Sequence, residues 1–406
     1  MSSVDHQASA RPDAVAYLDH AASSPTRPEA LEAMLETSAL VGNPSGSHRW
    51  AREARRRLDD ARDTVADLVG AEPGEVVFTS GGTESDNLAV RGVLRARGGV
   101  AVCSAVEHHA VLDTVEATGG FTLPVDAAGR VDFDDYTRPQ GLTEPAEAPK
   151  VTLVSVMLAN NETGVINDLE AVAGQLERHF DGAVLHTDAV AAAAWLDLRV
   201  AASSAQLVSI SGHKFGAPKG IGALIVRRGT PLRSIMTGGG QEHDRRSGTQ
   251  NVAGAVALAS ALAAAAAERV GGASRVPALR ERLRTGLLES VPGLVETVPP
   301  AVGASHTAAT LHVCIPGVER EALLYLIDDN GVAASWGSSC ASGAAEPSHV
   351  LAAMGVGRDV ARGAIRFSLG WSSTDADVDH ALAVIPAAVA QLRGVAVEPV
   401  AMRARS

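Results

Sequence analysis

Short apolar runs that alternate with helical stretches recur along this 406-residue chain, and they constrain its fold more than any other feature. Residues 74–94, GEVVFTSGGTESDNLAVRGVL, read as a strand, a glycine-rich turn and a helix, and similar strand-like runs begin at positions 150, 183, 205 and 220. Continuous apolar strands that alternate with helices are typical of a parallel or mixed sheet covered on both faces. We therefore predict an α/β fold.

The chain is long enough for two domains, because single hydrophobic cores stop growing below this length. Residues 51–68 predict the clearest helix, with apolar residues at spacings of three and four on one stripe. Beyond about position 270, the pattern changes to an amphipathic helix, a proline-rich turn and a strand-like run. We predict a large domain over 23–270 and a smaller α+β domain formed by 1–22 and 271–406.

Charge and composition exclude several classes of function. The formal net charge of −12 argues against a nucleic-acid partner. The densest basic run, 48–63, also carries acidic residues and is interpreted as a solvated helix face. The most apolar run, 252–270, consists largely of alanine and favours a buried helix over a membrane span. Residues 138–149, RPQGLTEPAEAP, are predicted to form a surface loop.

The three cysteines and the N-terminus bear on the compartment. An odd, low cysteine count is no disulfide framework and favours a reducing environment. The first 17 residues lack the apolar stretch of a secretory signal. We expect a cytoplasmic protein without a membrane partner.

Polar residues collect where the predicted strands end, which is where open α/β sheets bind ligands. Lys214 follows a strand-like run, and a desolvated lysine has a lowered pKa and can form a Schiff base. Asp188 ends another run, where a buried carboxylate needs a cationic partner such as a pyridinium nitrogen. The turn at Gly81–Thr83 offers free N–H groups to a phosphate. His108 offers a ring for stacking or proton transfer.

Each of these residues also has a structural interpretation, as a snorkelling lysine, a buried salt bridge, an ordinary glycine turn or a core histidine. The glycine turn has neither a Walker lysine nor G-x-G-x-x-G spacing, so it does not specifically indicate a nucleotide. Together with Ser211 and His213, however, the set describes one cofactor, pyridoxal 5'-phosphate. The lysine suits its aldehyde, the aspartate its ring nitrogen, and the turn its phosphate. No metal site is predicted.

Several motifs resemble those of a known family, in that family's order, from about residue 17 to residue 375. They are YLDHAASSPTRPEALEAM, GNPSGSHRWA, FTSGGTESDNLAVRG, EHHAVLDT, NNETG, SGHKFGAPKGIGAL, RRSGT, SSCASGAAEPSHVLAAMG and AIRFSLG. The chain resembles the cysteine desulfurases of the NifS/IscS type, which are class V aminotransferase-like, fold type I enzymes that use pyridoxal phosphate. The resemblance implies a large domain with a mostly parallel seven-stranded sheet and a smaller α+β domain.

The resemblance also implies roles for the matched residues in binding the cofactor. Lys214 would bind the cofactor's aldehyde covalently, Asp188 would bind its ring nitrogen, and His108 would stack over the ring. Asn161 would lie beside the cofactor. The residues that would hold the phosphate are Gly82, Thr83, Ser211 and His213. Thr249 would reach the phosphate bound by a second subunit, which implies a homodimer.

The remaining implied roles concern the substrate and the sulfur. Asn43 and Arg366 would bind the substrate carboxylate. Cys340 would attack the sulfur of L-cysteine, release L-alanine and keep a persulfide for an acceptor protein of iron–sulfur cluster assembly or thiolation. Cys103 and Cys314 lie in strand-like runs and are interpreted as inert core residues.

Three residues depart from the family's pattern. Ala191 stands where a glutamine usually bonds the cofactor, Trp336 where a small residue is usual, and His20 where tyrosine is commoner. We expect Trp336 to restrict the loop that carries Cys340 or to reshape the pocket. A related lyase acting on selenocysteine or another amino acid, and a non-catalytic scaffold, remain alternatives. Retention of Cys340 and Arg366, together with Asn43, favours the desulfurase.

Overall fold

A computed structural model describes residues 15–133, 150–271, 275–337 and 348–394. The predicted surface loop at 138–149 lies outside these residues. The strands are β1 (Ala16–Tyr17), β2 (Val76–Thr79), β3 (Val100–Ser104), β4 (Phe121–Leu123), β5 (Val151–Ser155), β6 (Val184–Asp188), β7 (Leu207–Ser211), β8 (Gly222–Val226), β9 (Val295–Glu296), β10 (Thr310–Cys314), β11 (Val332–Ala333) and β12 (Ala364–Ser368). The helices are α1 (Pro28–Ser38), α2 (Arg49–Val69), α3 (Gly82–Arg97), α4 (His109–Ala117), α5 (Leu169–His179), α6 (Leu198–Ala201), α7 (Val252–Gly271), α8 (Arg275–Ser290), α9 (Arg320–Asp329), α10 (His349–Ala353), α11 (Arg358–Ala361) and α12 (Asp375–Leu392).

Seven of the described strands form the central sheet, in the order β2–β8–β7–β6–β5–β3–β4. Neighbouring strands are parallel except β8, which is antiparallel to both β2 and β7. All residues of β6 and β7 are buried, as expected for strands covered on both faces. The predicted fold, a mostly parallel seven-stranded α/β sheet, is confirmed.

Helix α2 forms as its apolar spacing predicts. The residues of the stripe are buried from Ala51 to Val65, and Leu68 is half-buried. The helix ends at Gly70, whose φ of 65° is the left-handed conformation that glycine adopts at low cost. On the opposite face Arg56 pairs with Glu53 at 2.6 Å, so that face is solvated, as predicted, whereas Arg62 of the same run is buried and pairs with Glu242 at 2.7 Å.

Helix α7 is the alanine-rich run. Within the described ranges, Val252–Val270 is the stretch that is long and apolar enough to cross a membrane, by length and composition alone, and 44% of it is buried. Ala257, Leu258 and Ala261 belong to the core beneath the central sheet, and α7 packs against α1 and α2. These contacts support the interpretation of α7 as a buried helix, whose small side chains let its neighbours approach closely.

A second core forms around β9, β10 and β12, in which β10 lies between the other two strands and is antiparallel to both. The N-terminal strand β1 belongs to this core, because it pairs in parallel with β11. Just after β1, the Ala21 amide donates to the Ser368 hydroxyl at 2.8 Å, across a separation of 347 residues. This arrangement is compatible with the predicted domain boundaries, which stay a prediction. Cys103 and Cys314 are buried, as predicted.

Candidate active site

A cavity of about 220 Å³ opens where the carboxyl ends of β6 and β7 approach the start of α3. Open α/β sheets bind their ligands at this edge. Most of the site residues predicted from the sequence line the cavity together: Gly82, Thr83, His108, Asn161, Asp188, Ser211, His213, Lys214 and Arg366. The structure therefore brings together residues that are up to almost three hundred positions apart in the chain.

Lys214 is directed into the cavity by the turn that follows β7. Residues 212–214 form a single 3₁₀ turn after the buried end of the strand, and Phe215 behind it is buried. The Lys214 ammonium donates hydrogen bonds to the carbonyl of Ala21 and to that of Ala22, the latter at 3.1 Å. The amine is thus held by backbone carbonyls within a cavity, which suits a lysine that reacts with an aldehyde.

Asp188 is the last residue of β6, and its carboxylate is buried. Its Oδ1 accepts a hydrogen bond from the Val190 amide at 2.8 Å. Burial raises the pKa of Asp188 to about 6, although the Val190 amide and the charge of Lys214 act in the opposite direction. A cation bound against this carboxylate would favour the ionised form. The cavity therefore presents an anionic group to a cationic ligand atom.

The start of α3 forms a cradle in which Gly82 contributes no side chain. A Cβ added to Gly82 would meet Val190 Cγ2 at 2.8 Å and Ser211 Cβ at 3.4 Å. The first amides of a helix have no partner within the helix, so they are available to an anion such as a phosphate. Exposed Thr83 and buried Ser211 add hydroxyl groups at the same place.

Two histidines beside the cavity are neutral at neutral pH. Burial, and then the charge of Lys214, lowers the pKa of His108 to about 4. Burial, followed by Lys214 and Lys219, lowers the pKa of His213 to about 4. His108 caps α4, where its Nδ1 accepts from the Ala110 amide at 3.1 Å. Since Nδ1 accepts, Nε2 carries the hydrogen of the neutral ring.

Arg366 supplies the buried cation of the cavity wall. It lies in β12 and is 2% exposed. Its guanidinium donates to Asp19 Oδ1 at 2.9 Å and to the Asn161 carbonyl at 2.7 Å, and its buried Nε makes no hydrogen bond in the structure. A guanidinium with donor capacity left over is suited to a carboxylate of a small ligand.

Asn43, Thr249 and Cys340 are not placed at this cavity. Asn43 is exposed between α1 and α2, where its Oδ1 accepts from the Ser45 amide at 2.9 Å, so its side chain belongs to a local turn. Thr249 is exposed and does not line the cavity within one chain. Cys340 lies outside the described residues. Their predicted roles stay predictions.

The three residues that depart from the family pattern lie in three different environments. Ala191 lines the cavity, as predicted. The ring of Trp336 lies 3.8 Å from the Arg320 guanidinium, and the loop that carries Cys340 lies outside the described residues, so the effect expected of Trp336 stays a prediction. His20 is buried, with Nδ1 at 3.0 Å from the Ser24 hydroxyl.

Asp86 is a cavity residue that the sequence reasoning missed. It lies in the first turns of α3, is 1% exposed and lines the cavity beside Asp188. A usable signal was present in the sequence, because Asp86 follows Gly82 by four residues and precedes the buried Val90 by four. It therefore falls on the inward face of the helix, where an aspartate is unusual.

The donor set fits pyridoxal phosphate. The glycine cradle at Gly82 leaves room for a phosphate, Asp188 presents a buried carboxylate, and Lys214 lies in the same cavity. These three features match the phosphate, the ring nitrogen and the aldehyde of that cofactor.

Comparison with known proteins gives consistent matches. The family profile described as aminotransferase class-V matches residues 16–381. The IscS-like cysteine desulfurase of Mycobacterium tuberculosis is 44% identical over 395 residues, which are 93% of this chain and 97% of that protein. A cysteine desulfurase of Gluconacetobacter diazotrophicus is 43% identical, over 93% of this chain and 94% of that protein.

Solved structures of NifS-like and related proteins are also similar to this chain. A NifS-like protein has a TM-score of 0.82 at 32% identity, and the match covers 93% of this chain and 100% of the other. SspA in complex with cysteine has a TM-score of 0.70 at 29% identity, covering 87% of this chain and 98% of the other. The likeness therefore extends over nearly the whole chain.

Proposed function

This chain belongs to the class-V aminotransferase family, and from that premise we propose that it is a cysteine desulfurase of the NifS/IscS type. It converts L-cysteine to L-alanine and passes the sulfur through Cys340 to an acceptor. The observation that carries the proposal is the presence of Lys214 and Asp188 in one cavity, beside the glycine cradle at Gly82. Relatives at 38–44% identity bear the name cysteine desulfurase.

Pyridoxal phosphate is the proposed cofactor. Lys214 would hold its aldehyde and Asp188 its ring nitrogen, while the phosphate would lie at the start of α3 with Thr83, Ser211 and His213. The neutral ring of His108 would lie against the cofactor, with Asn161 beside it. When bound, the cofactor supplies an aldehyde that condenses with amines and a ring that accepts the electron pair left on the substrate's Cα.

The chain's own groups would supply substrate binding and proton transfer. Arg366 binds the carboxylate of L-cysteine, with Asn43 as the second predicted contact. The Lys214 amine would accept the proton at the substrate's Cα and would return protons to the product. The ionised Asp188 would hold the cofactor's ring nitrogen and favour its cationic form.

Cys340 receives the sulfur. Its thiolate attacks the thiol sulfur of the substrate, an S–S bond forms, and the C–S bond breaks. The electron pair of that C–S bond stays with the three-carbon product, which takes up a proton to become L-alanine. One substrate thiol and one enzyme thiol thus give alanine and an enzyme persulfide, with atoms and electrons in balance.

The partner proposals rest on the same family membership. The exposure of Thr249 outside the cavity of its own chain supports a homodimer in which it reaches the second subunit's phosphate. The acceptor is proposed to be a protein of iron–sulfur cluster assembly or thiolation, and the compartment to be the cytoplasm.

A direct assay tests the function. Purified protein is incubated with L-cysteine and a thiol reductant, and alanine and sulfide are measured. We expect a yellow protein that forms both products in equal amounts. Lys214→Ala should lose covalent attachment of the cofactor, and Cys340→Ala should bind cofactor yet release little sulfide. Cys314→Ala, which removes a buried thiol that packs with Leu351 and Ala364, is the matched control and should keep its activity.

Two outcomes would count against this proposal. Full sulfide production by Cys340→Ala would exclude the persulfide route and favour a lyase, which a comparison of L-cysteine with L-selenocysteine would then identify. A protein that stays colourless after addition of pyridoxal phosphate would exclude the cofactor.

A further inference from the structure

Asp86 is a carboxyl group in the cavity to which the proposed mechanism gives no role. It is 1% exposed, and its Oδ1 makes no hydrogen bond. It approaches the cavity from α3, while Asp188 approaches from β6, so two carboxyl groups share one buried wall. Two ionised carboxylates in such a place repel each other and lose hydration, so one of them is expected to keep its proton.

Hydrogen bonds link Ser209, His186 and Ser155 within the sheet behind Asp86. The Ser209 hydroxyl of β7 lies near the Asp86 carboxyl group and lowers the pKa of that group. Ser209 Oγ lies 3.0 Å from His186 Nε2, and His186 Nδ1 lies 2.8 Å from the Ser155 hydroxyl. All four side chains are buried, so water does not compete for these bonds. His186 belongs to β6, two residues before Asp188, and the two side chains therefore lie on the same face of the sheet.

The series of hydrogen bonds can run in either of two directions, and the proton of Asp86 selects one of them. Burial lowers the pKa of His186 to about 3, so its ring is neutral and carries a single N–H. If Asp86 is a neutral acid, it donates to Ser209, which donates to Nε2, and the Nδ1–H donates to Ser155. If Asp86 is ionised, every bond reverses and the hydrogen of His186 moves to Nε2.

The surroundings favour the neutral acid. Burial, and then the negative charge of Asp188, raises the pKa of Asp86 well above its ordinary value, against the lowering effect of the Ser209 hydroxyl; Glu107 raises it further. His186 Nε2 lies 3.6 Å from Asp86 Oδ1, beyond hydrogen-bond distance, and the neutral ring brings no positive charge to that oxygen.

We propose that Asp86 is a positioning residue which retains its proton and donates it to Ser209, so that the chain Asp86–Ser209–His186–Ser155 runs in one direction behind the cofactor wall. This leaves Asp188 as the carboxylate that ionises against a bound cation. The part of the inference that concerns the cofactor rests on the proposed function, whereas the proton on Asp86 is a property of the protein without cofactor.

Infrared spectroscopy tests the proton directly. At neutral pH, the difference spectrum between wild type and Asp86→Asn should contain a protonated-carboxyl carbonyl band that shifts in D₂O. Glu107→Gln is the matched control, because burial also raises the pKa of Glu107 and its own band has to be assigned separately. A difference spectrum that contains carboxylate bands alone would overturn the proposal.

A second variant keeps this test decisive if Asp86→Asn does not fold. Ser209→Ala removes the acceptor of the proposed bond while it leaves the acid in place. The protonated-carboxyl band should therefore persist and move to higher frequency. Absence of that band from the Ser209→Ala spectrum, after the Glu107 band has been assigned, would likewise overturn the proposal.

Binding of pyridoxal phosphate to the purified full chain tests the positioning role. Asp86→Ala removes the donor to Ser209 and should weaken binding of the cofactor about tenfold, which is the effect of about one hydrogen bond. Asp86→Asn can still donate to Ser209 and should bind the cofactor within about threefold of wild type. Asp181→Asn, at an exposed position, is the control.

The outcomes separate the alternatives. If Asp86→Asn binds as weakly as Asp86→Ala, Asp86 acts as an anion and the proposal is wrong. If Asp86→Ala binds as wild type does, Asp86 positions nothing. If wild type itself binds no cofactor, the proposed function fails, while the infrared result still decides whether Asp86 holds a proton.

Discussion

The Ser348 hydroxyl donates a hydrogen bond to Oε2 of Glu162 at 2.5 Å, and an added Cβ on Gly337 would meet Oε1 of the same carboxylate at 3.0 Å. Gly337 and Ser348 flank the segment 338–347, which contains Cys340. Glu162 is 2% exposed and adjoins Asn161, a residue of the cavity wall. Both ends of the segment with the proposed nucleophile therefore meet on one buried carboxylate beside the cavity.

Substitution of Ser348 by alanine tests this anchor. Ser348 also caps α10, accepting from the Val350 amide at 3.1 Å. Loss of a helix cap and of a hydrogen bond to a charged group should lower the free energy of unfolding by about 2 kcal/mol. We expect sulfide production to fall roughly fivefold through misplacement of the nucleophile, with cofactor affinity unchanged. Urea unfolding and the desulfurase assay measure the two effects.

Ser38→Ala is the control for Ser348→Ala, because Ser38 is exposed and its hydroxyl bonds only a carbonyl within its own helix in the structure. Its effect on the free energy of unfolding should stay within about 0.5 kcal/mol. Equal stability and turnover of the two variants would show that Ser348 does not anchor the segment.

Gly82→Ala tests the cradle at the start of α3. The new methyl group would press on Val190 at 2.8 Å, and such overpacking costs about 1–3 kcal/mol. It should also weaken cofactor binding, because it narrows the place proposed for the phosphate. Gly174→Ala in α5 is the matched control, since a Cβ there meets nothing within 4 Å and should stabilise the helix by about 0.5–1 kcal/mol. A normal affinity for cofactor in Gly82→Ala would argue against this placement of the phosphate.

Asp188→Asn should have opposite effects on the free chain and on cofactor binding. Burial raises the pKa of Asp188 from 3.8 to about 6, so the stability that its protonated form contributes is fully present below pH 3.8 and is lost as the pH rises through 6. Asparagine stays neutral and can still accept from Val190. Without cofactor, the variant should be more stable than wild type by up to about 3 kcal/mol at pH 7.5, with little difference at pH 4.

Urea unfolding of both cofactor-free proteins at the two pH values checks the stability effect, and absorbance titration checks the loss of cofactor affinity. Asp181→Asn, at an exposed position, should show neither effect. A stability difference that does not depend on pH would contradict the assignment of a raised pKa to Asp188.

Arg366→Lys should separate substrate binding from cofactor binding. Lysine cannot reproduce the guanidinium bonds to Asp19 and Asn161 together with a bond to a ligand carboxylate. We expect KM for L-cysteine to rise about tenfold, the equivalent of about 1.4 kcal/mol, while the cofactor absorption is kept. Arg362→Lys, with a side chain that is 63% exposed, is the control. An unchanged KM in Arg366→Lys would remove Arg366 from the substrate site.

The sequence predicted the sheet and much of the cavity because both depend on one regularity. Parallel strands end at a common edge, so polar residues that follow such strands, including Lys214 and Asp188, meet there in the fold. The antiparallel direction of β8 was not predictable in this way, since a buried strand reads the same in both directions. The match to a known family supplied the roles of Asn161 and Arg366, for which the residues alone gave no signal.

Residues that depend on long-range geometry were harder to predict. The helical spacing of Asp86 shows that it faces inward, but its neighbours in space, Ser209 and His186, lie 100 or more positions further along the chain and could not be predicted. The contact of the Trp336 ring with Arg320 could not be predicted either, because the two residues come from separate segments of the second core. Periodicity tells which face a residue occupies and says nothing about the partner that it meets across a core.

The pairing of the N-terminal segment with the last strand has a consequence for the order of events during synthesis. The carbonyl of Ala21 accepts a hydrogen bond from Lys214, and the amide of Ala21 is fixed by Ser368, which is made 347 residues later. At about 5–20 residues per second, the ribosome adds those residues over roughly half a minute. The lysine is therefore translated well before its pocket can close, and the chain becomes able to hold its cofactor firmly only after β12 has been synthesised.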